Sequence, residues 1–263
     1  MNLIISSVHG RSGSTLLQRI FNSRKLTLIW GEHHKCLRAF QNIFASLKEW
    51  TQSEAVADQR SLYFDGNEDP NHWIANLIPQ RSFLEQAMIA SVRSFFDNFY
   101  AEYRESHDLI GFKESQYGYE ELQLFRKAYP DCTIILLVRN PVNTWQSISG
   151  THFRAHYQWT IEQYVHDWNK ISSAYLKLSR EDPKAYLIQY EDLVNKNRET
   201  VKTICKLGRL KPADVFRVLD HPIGSSKTRI PEDEVSYIMQ SCGDVMKKID
   251  DFAKNGKRRN PFG

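Results

Sequence analysis

Short runs of apolar residues alternate along the chain with longer stretches in which apolar residues recur at helical spacing. The short runs predict buried strands, and the longer stretches predict helices with one face in the core. We place the strands at 3–8, 26–30, 107–113, 133–138 and 185–189. We place the helices at 14–22, 36–50, 82–103, 120–128, from 141 onward, 161–178 and 199–207. This alternation predicts an α/β fold in which helices flank a central parallel sheet.

The length of the chain, 263 residues, and its hydrophobic content of 41% suit one globular domain with a sizeable core. We therefore predict a single domain over 1–263. Residues 61–79 combine a glycine, two prolines and several Asp and Asn residues, a composition typical of a loop. We interpret the segment around 61–80 as a lid or substrate loop, and the segment around 221–263 as a C-terminal cap.

A polar turn leads from the first predicted strand into the first predicted helix, with the sequence Gly10-Arg11-Ser12-Gly13-Ser14-Thr15. Such a turn points backbone N–H groups at an anion, and the helix dipole adds attraction. The turn resembles a P-loop, but Ser14 stands where a Walker A motif has its lysine, and Val8 where it has its first glycine. Arg11 supplies a cation instead. We therefore expect a nucleotide other than an ordinary Mg-bound triphosphate.

A second candidate anion site follows the aliphatic strand at 133–138. Arg139 precedes a helix in which Asn140 is the predicted N-cap and Pro141 the first helical residue. Ser147 lies two turns into this helix, and a guanidinium together with a hydroxyl suits a terminal phosphate monoester.

Several polar residues fall at or just past the ends of predicted strands: Arg11, Glu32, Lys113, Arg139 and Tyr190. The carboxyl ends of parallel strands meet at one edge of a sheet, where ligands of open α/β sheets bind. We therefore expect these side chains to converge on one crevice.

Together these segments resemble the sulfotransferase family that uses 3′-phosphoadenosine 5′-phosphosulfate (PAPS). The G-R-S-G-S/T-T loop of the family matches residues 10–15, and its R-x-P-x-x-x-x-x-S segment matches Arg139, Pro141 and Ser147. Its Y-E-D-L stretch matches residues 190–193. The resemblance extends from residue 3 to about residue 210. It implies a P-loop-NTPase-like sulfotransferase architecture.

The resemblance also implies a role for each matched residue. The turn would hold the 5′-phosphosulfate, Arg139 and Ser147 would hold the 3′-phosphate, and Tyr190 would reach the nucleotide. The implied cofactor-binding residues are Arg11, Ser12, Gly13, Ser14, Thr15, Arg139, Ser147 and Tyr190. PAPS would be the donor, and adenosine 3′,5′-bisphosphate (PAP) the product.

Sulfuryl transfer needs stabilisation of the leaving oxygen and a base for the acceptor. Arg11, the backbone amides and the helix dipole would stabilise that oxygen without a metal. Glu32 is our first candidate for the base, since some bacterial members place a catalytic Glu in a Gly-Glu turn at about this distance. His33 and His34 are alternative bases, and Glu114 is a weaker one. Relatives often have a lysine at the position of Lys113, in contact with acceptor or sulfate.

Composition narrows the classes of partner. The net charge is +4. The chain has no dense run of Lys and Arg residues, so we expect no binding to nucleic acid. No segment reaches the length of a membrane span. The four cysteines are scattered without paired spacing, which indicates a reducing compartment, and we expect a cytoplasmic protein. We expect no metal site, because adjacent histidines such as His33 and His34 rarely face the same ion.

The acceptor is expected to be a small molecule bearing a hydroxyl or an amine. Residues 61–79 and aromatic, His and Arg residues between His152 and Trp159 are expected to line its site, and residues 225–229 to close over the nucleotide. Two other functions stay open. A P-loop kinase or other NTP enzyme would need a Walker lysine and an Asp for Mg²⁺, but the strand at 133–138 ends in Arg139. A non-catalytic PAP binder is the second, and the oligomeric state stays undetermined.

Overall fold

The computed structural model describes residues 1–151, 159–223 and 228–256. Within these ranges the chain forms a five-stranded sheet of order β2-β3-β1-β4-β5, in which every paired strand is parallel. The strands are β1 (Leu3–Ser7), β2 (Thr27–Trp30), β3 (Leu109–Ser115), β4 (Thr133–Val138) and β5 (Ala185–Gln189). The predicted α/β class with a central parallel sheet is confirmed.

In the described ranges, helices lie at the seven predicted positions and at four others. They are α1 (Ser14–Phe21), α2 (Cys36–Thr51), α3 (Glu54–Asp65), α4 (Arg81–Phe99), α5 (Tyr119–Ala128), α6 (Pro141–Ser149), α7 (Ile161–Glu181), α8 (Tyr190–Val194), α9 (Arg198–Gly208), α10 (Pro212–Leu219) and α11 (Glu232–Gly256), with a 3₁₀ turn at Ala101–Tyr103. None of the described helices is long and apolar enough to cross a membrane.

The strand order places a crevice beside β1. Because β1 lies between β3 and β4, the loop after β1 runs toward β2 on one side, while β4 leads to β5 on the other. Ligands of open α/β sheets bind where the strand order divides in this way. The turn after β1 and the Arg139 segment after β4 both begin at this position.

Three local predictions differ from the structure. The helix predicted at 82–103 ends at Phe99, and Ala101–Tyr103 form a 3₁₀ turn. The third strand extends to Ser115 instead of ending at Lys113, because Glu114 and Ser115 continue the parallel pairing with Ser6 and Ser7 of β1. The predicted loop at 61–80 begins later, because residues 61–65 form the end of α3. Its proposed role as a lid stays a prediction, as do the domain bounds and the C-terminal cap.

The described residues group into two compact units. The first comprises Met1–Lys35, Tyr100–Tyr119 and the chain from Asp131 onward, and the second comprises Cys36–Phe99 and Glu120–Pro130. In the first unit, Leu17, Ile20 and Phe21 of α1 join a buried cluster with Leu3 and Ile5 of β1. This packing fixes the N-terminus of α1 at the carboxyl end of β1.

The second unit has its own small core. Val56 of α3 and Met88, Val92 and Phe96 of α4 are buried. Arg38 of α2 donates from Nε to Glu121 over 2.8 Å.

Candidate functional site

The turn after β1 presents an open helix N-terminus. Gly13 is the N-cap of α1 with φ 97°, and no side chain caps the helix. Within the described ranges, the backbone N–H groups of Ser14 and Thr15 have no protein acceptor. Unsatisfied N–H groups and the positive end of the helix dipole together form an anion-binding site.

The ring of Tyr190 lies directly against this turn. Tyr190 is the first residue of α8, immediately after β5. A Cβ atom added at Gly13 would stand 2.4 Å from Cδ2 and 2.6 Å from Cε2 of the tyrosine. Position 13 therefore needs glycine for two reasons: its backbone is left-handed, and the Tyr190 ring approaches it closely.

Arg139 is a buried cation, with 5% of its surface exposed. Its Nη1 donates to the carbonyl oxygen of Arg11 over 2.7 Å, and its guanidinium lies 4.4 Å from the centre of the Tyr190 ring. Its buried Nε has no hydrogen-bond partner, and no described carboxylate forms an ion pair with it. A buried charge without a counterion is unfavourable. This one suits an anionic ligand.

Arg11 connects the two candidate anion sites. Its Nε donates to Oγ of Ser147 over 3.2 Å, and Ser147 is buried on α6. Its φ of 67° lies in the left-handed region, which non-glycine residues adopt at a cost and often at functional sites. The structure thus brings Arg11, Arg139, Ser147 and Tyr190 together, as the sequence predicts.

Ser12 adds a second unsatisfied group. Its Oγ is buried and lacks a hydrogen-bond partner in the described part of the chain. Buried hydroxyl groups nearly always have a partner in folded proteins. The orphaned Oγ of Ser12 and the orphaned Nε of Arg139 are donors that phosphate oxygens would satisfy.

Residues that the sequence analysis did not single out hold the Arg139 segment in place. Glu191 accepts from the backbone N–H of Asn140 over 3.0 Å, and Trp168 Nε1 donates to the carbonyl of Arg139 over 3.1 Å. Tyr164 donates to the carbonyl of Pro141 over 2.6 Å. Only Glu191 carried a sequence signal, as a member of the Y-E-D-L stretch. Tyr164 and Trp168 lie on the apolar face of α7, and from the sequence they would be interpreted as core residues.

Glu32 and Lys113 form an ion pair at the same edge of the sheet. Lys113 Nζ lies 2.6 Å from Glu32 Oε1. The glutamate follows β2 and its side chain is 48% exposed, whereas the lysine belongs to β3 and is 10% exposed. The pair combines a carboxylate that solvent reaches with a buried cation that fixes its orientation.

The alternative bases have different surroundings. His33 Nδ1 lies 2.8 Å from the carbonyl of Gly31, and its Nε2 lies 2.5 Å from the hydroxyl of Tyr100. We assign Nδ1 as the protonated nitrogen, because the carbonyl can only accept. Burial lowers the pKa of His33, and the neutral imidazole is favoured. Both ring nitrogens are thus engaged, whereas His34 is exposed.

Glu114 does not suit the role of a base. It is buried, and its carboxylate accepts the backbone N–H groups of His33, Lys35 and Ser115. The predicted acceptor residues His152 to Tyr157 and the segment 225–227 lie outside the described residues. Residues 61–79 belong to the second unit. Among the described residues, no group of three or more His, Cys, Asp or Glu side chains could hold a metal ion.

His9 is a buried group that the sequence analysis did not single out. Burial, with a smaller contribution from the charge of Lys35, lowers its pKa from 6.5 to about 4. Its ring centroid lies 4.5 Å from that of Trp159 and 5.2 Å from that of Tyr164. His9 is therefore a neutral packing residue beneath the anion-binding turn.

Comparisons with known proteins find a matching family model and similar solved structures. Residues 7–211 match the model of the Sulfotransferase family. The sulfotransferase domain of the olefin synthase from Synechococcus PCC 7002 is 18% identical, with a TM-score of 0.50, over 96% of this chain and 94% of that one. Sulfotransferase STF9 from Mycobacterium avium is 10% identical, with a TM-score of 0.53, over 94% and 76%.

The sulfotransferase domain from the curacin biosynthetic pathway is also similar. It is 18% identical, with a TM-score of 0.50, over 89% of this chain and 82% of that one. At these identities the solved structures show a shared fold. No protein of curated function matches the chain.

The contact between Gly13 and Tyr190 yields a matched pair of substitutions. Gly13→Ala should destabilise the protein by more than about 1–2 kcal/mol, because it adds a ring clash to the usual cost of a left-handed alanine. Gly10→Ala, where an added Cβ meets no atom within 4 Å, should have a much smaller effect. Urea unfolding measures both. Equal losses for the two variants would contradict the geometry of the turn.

The pKa of His9 yields a pH dependence. The unfolded state takes up a proton near pH 6.5, but the folded state resists protonation down to about pH 4. The stabilising contribution of neutral His9 should therefore be fully present above pH 6.5. Its loss as the pH drops toward 4 should lower the free energy of unfolding by up to about 3 kcal/mol. In His9→Gln this part of the pH dependence should disappear, while the exposed His166→Gln should retain it. Unfolding free energies measured across this pH range provide the test, and an unchanged slope in His9→Gln would contradict it.

Proposed function

The chain belongs to the sulfotransferase family, and from this membership we propose that it transfers a sulfuryl group from PAPS to a hydroxyl or amine of a small molecule. The observation that best supports the donor is the buried guanidinium of Arg139, which has an unsatisfied Nε and no described carboxylate as counterion. The Ser12 hydroxyl and the N-terminus of α1 add further donors beside it. This concentration of donors suits a ligand with more than one phosphate.

We assign the residues that would hold the donor as follows. The N–H groups at the start of α1, Ser12 and Arg11 would hold the 5′-phosphosulfate, while Arg139 and Ser147 would hold the 3′-phosphate. Arg11 Nε donates to Ser147 Oγ, and Arg139 Nη1 donates to the carbonyl of Arg11. Binding would exchange some of these bonds for stronger charge-assisted bonds to phosphate oxygens.

The reaction needs positive charge at the leaving oxygen and a base at the acceptor. PAPS, when bound, supplies the sulfuryl group in activated form. Arg11 and the helix dipole stabilise the charge that develops on the phosphate side. Glu32 takes the proton from the acceptor, and the buried Lys113 orients its carboxylate through the 2.6 Å contact.

The state of the cysteines indicates the cellular compartment. Cys36, Cys132, Cys205 and Cys242 are all free thiols. Free thiols are typical of a reducing environment, and we propose the cytoplasm as the site of the reaction.

Nucleotide binding is the first test. PAP at about a hundred times its Kd should stabilise the protein by roughly 2.7 kcal/mol, and ATP or NAD at the same concentration by much less. Arg139→Met should abolish the shift with PAP. Arg24→Met, which removes an arginine paired with Asp108, should preserve the shift. A thermal-shift panel measures all of these, and a response to ATP alone would refute the assignment.

Turnover is the second test. Labelled PAPS is offered with a panel of phenols, alcohols and amines, with water as the competing acceptor, and the labelled sulfate product is measured. Glu32→Gln should lower transfer by about 10²–10⁴-fold, the usual contribution of a general base, with the Kd for PAP unchanged. His34→Gln should retain transfer. A large loss of transfer in His34→Gln with full activity in Glu32→Gln would indicate that His34, and not Glu32, is the base. PAP binding without transfer in the wild type would favour a non-catalytic binder.

A further inference from the structure

We propose that Glu114 is a positioning residue for the transfer reaction, acting through the turn at residues 31–35 that carries Glu32. This inference rests on the proposed function, because Glu32 is the base in that proposal. Glu114 makes no contact with the reacting atoms in our assignment. It acts by fixing the backbone from which Glu32 projects.

The carboxylate of Glu114 binds the backbone of this turn. It lies in β3 with 1% of its surface exposed. Its Oε2 accepts the backbone N–H of His33 and of Lys35, each over 2.9 Å, and its Oε1 accepts the N–H of Ser115 over 3.1 Å. Backbone N–H groups that would otherwise be exposed thus converge on one buried charge, and such charge-assisted bonds are stronger than neutral ones.

The turn needs this support because its backbone is strained. His34 and Lys35 have φ values of 49° and 56°, in the left-handed region that non-glycine residues seldom adopt. Such a conformation is unfavourable for a non-glycine residue and persists only where the surroundings impose it. The two N–H groups that Glu114 holds belong to the residues on either side of His34, so the carboxylate imposes this conformation.

Side chains of β3 and of the residue that follows it hold the turn at three places. Lys113 bonds the Glu32 carboxylate, Glu114 bonds the backbone, and Gln116 accepts from Lys35 Nζ over 2.7 Å. Gln116 in turn donates its N–H to the carbonyl of Ser7 over 2.8 Å, at the end of β1. Glu32 is therefore held relative to the strand from which the anion-binding turn begins.

Glutamine cannot replace this carboxylate without loss. Oε2 accepts two N–H groups and Oε1 a third. The amide of a glutamine has one oxygen, and its NH₂ group would face at least one backbone donor. Glu114→Gln should therefore free part of the turn while it preserves the size of the side chain.

The test measures transfer and PAP binding in the same variants. It uses labelled PAPS and the acceptor of the panel, water included, that the wild type sulfates fastest. Glu114→Gln should lower kcat by about tenfold or more, since misplacement of a catalytic group by about 1 Å can cost about a hundredfold. The Kd for PAP should stay within about twofold of the wild type. Glu114→Asp, which keeps the charge, should lose less activity than Glu114→Gln.

A double-mutant cycle separates positioning from general destabilisation. If Glu114 acts through Glu32, then Glu114→Gln should have little further effect on transfer in a Glu32→Gln background. Glu121→Gln is the matched control, because it removes another buried carboxylate, which binds Arg38 in the second unit. The control should lower the melting temperature with kcat unchanged.

Several outcomes would overturn the inference. They are equal kcat values for Glu114→Gln and the wild type, additive losses in the cycle, or a loss of kcat in Glu121→Gln as large as that in Glu114→Gln. If Glu114→Gln does not fold, Glu114→Asp is used instead. Full activity of Glu114→Asp would then contradict the inference. Absence of PAP binding or of any transfer in the wild type would instead refute the proposed function.

Discussion

The buried guanidinium of Arg139 is the group on which the geometry of the site depends, because it holds two loops that are far apart in the sequence. It donates to the carbonyl of Arg11, 128 positions away, and its plane lies over Tyr190, the first residue after β5. Its own backbone is fixed by Trp168 and by Glu191, which bonds the next residue. A cation held in this way, without a described carboxylate, makes the site complementary to an anion before any ligand binds.

The strand order explains why these loops meet. Since β1 lies between β3 and β4, the segments that follow β1 and β4 start side by side at one edge of the sheet. The glycine at position 13 then allows the Tyr190 ring to cover the turn after β1. Glu32 follows β2 at the same edge, so the fold places an anion-binding turn and a carboxylate paired with Lys113 at one edge of the sheet.

The sequence predicted the parts of this arrangement that depend on local pattern. The strands, Asn140 as N-cap and Pro141 at the start of α6 could be found from local pattern, and Arg11, Arg139 and Tyr190 because each follows a strand. Ser147 could be found only from its spacing after Arg139 in the family segment that the chain resembles. The direct bond from Arg11 to Ser147 could not, because it depends on side-chain direction across the crevice. The role of Glu114 was also hidden. From the sequence it is only a weaker candidate for the base, and only the tertiary structure shows three N–H groups converging on its carboxylate.

The contrast between Glu32 and Glu114 shows how environment divides the work of two similar side chains. Glu32 is about half exposed and has a lysine partner, so its carboxylate has room to meet an acceptor. Glu114 is buried, and backbone donors occupy both of its oxygens. In our proposal the first takes a proton from the acceptor, whereas the second holds a strained turn through its bonds to the backbone. Since Lys113 and Glu114 are consecutive residues of β3, the same strand segment fixes both the proposed base and the backbone that carries it.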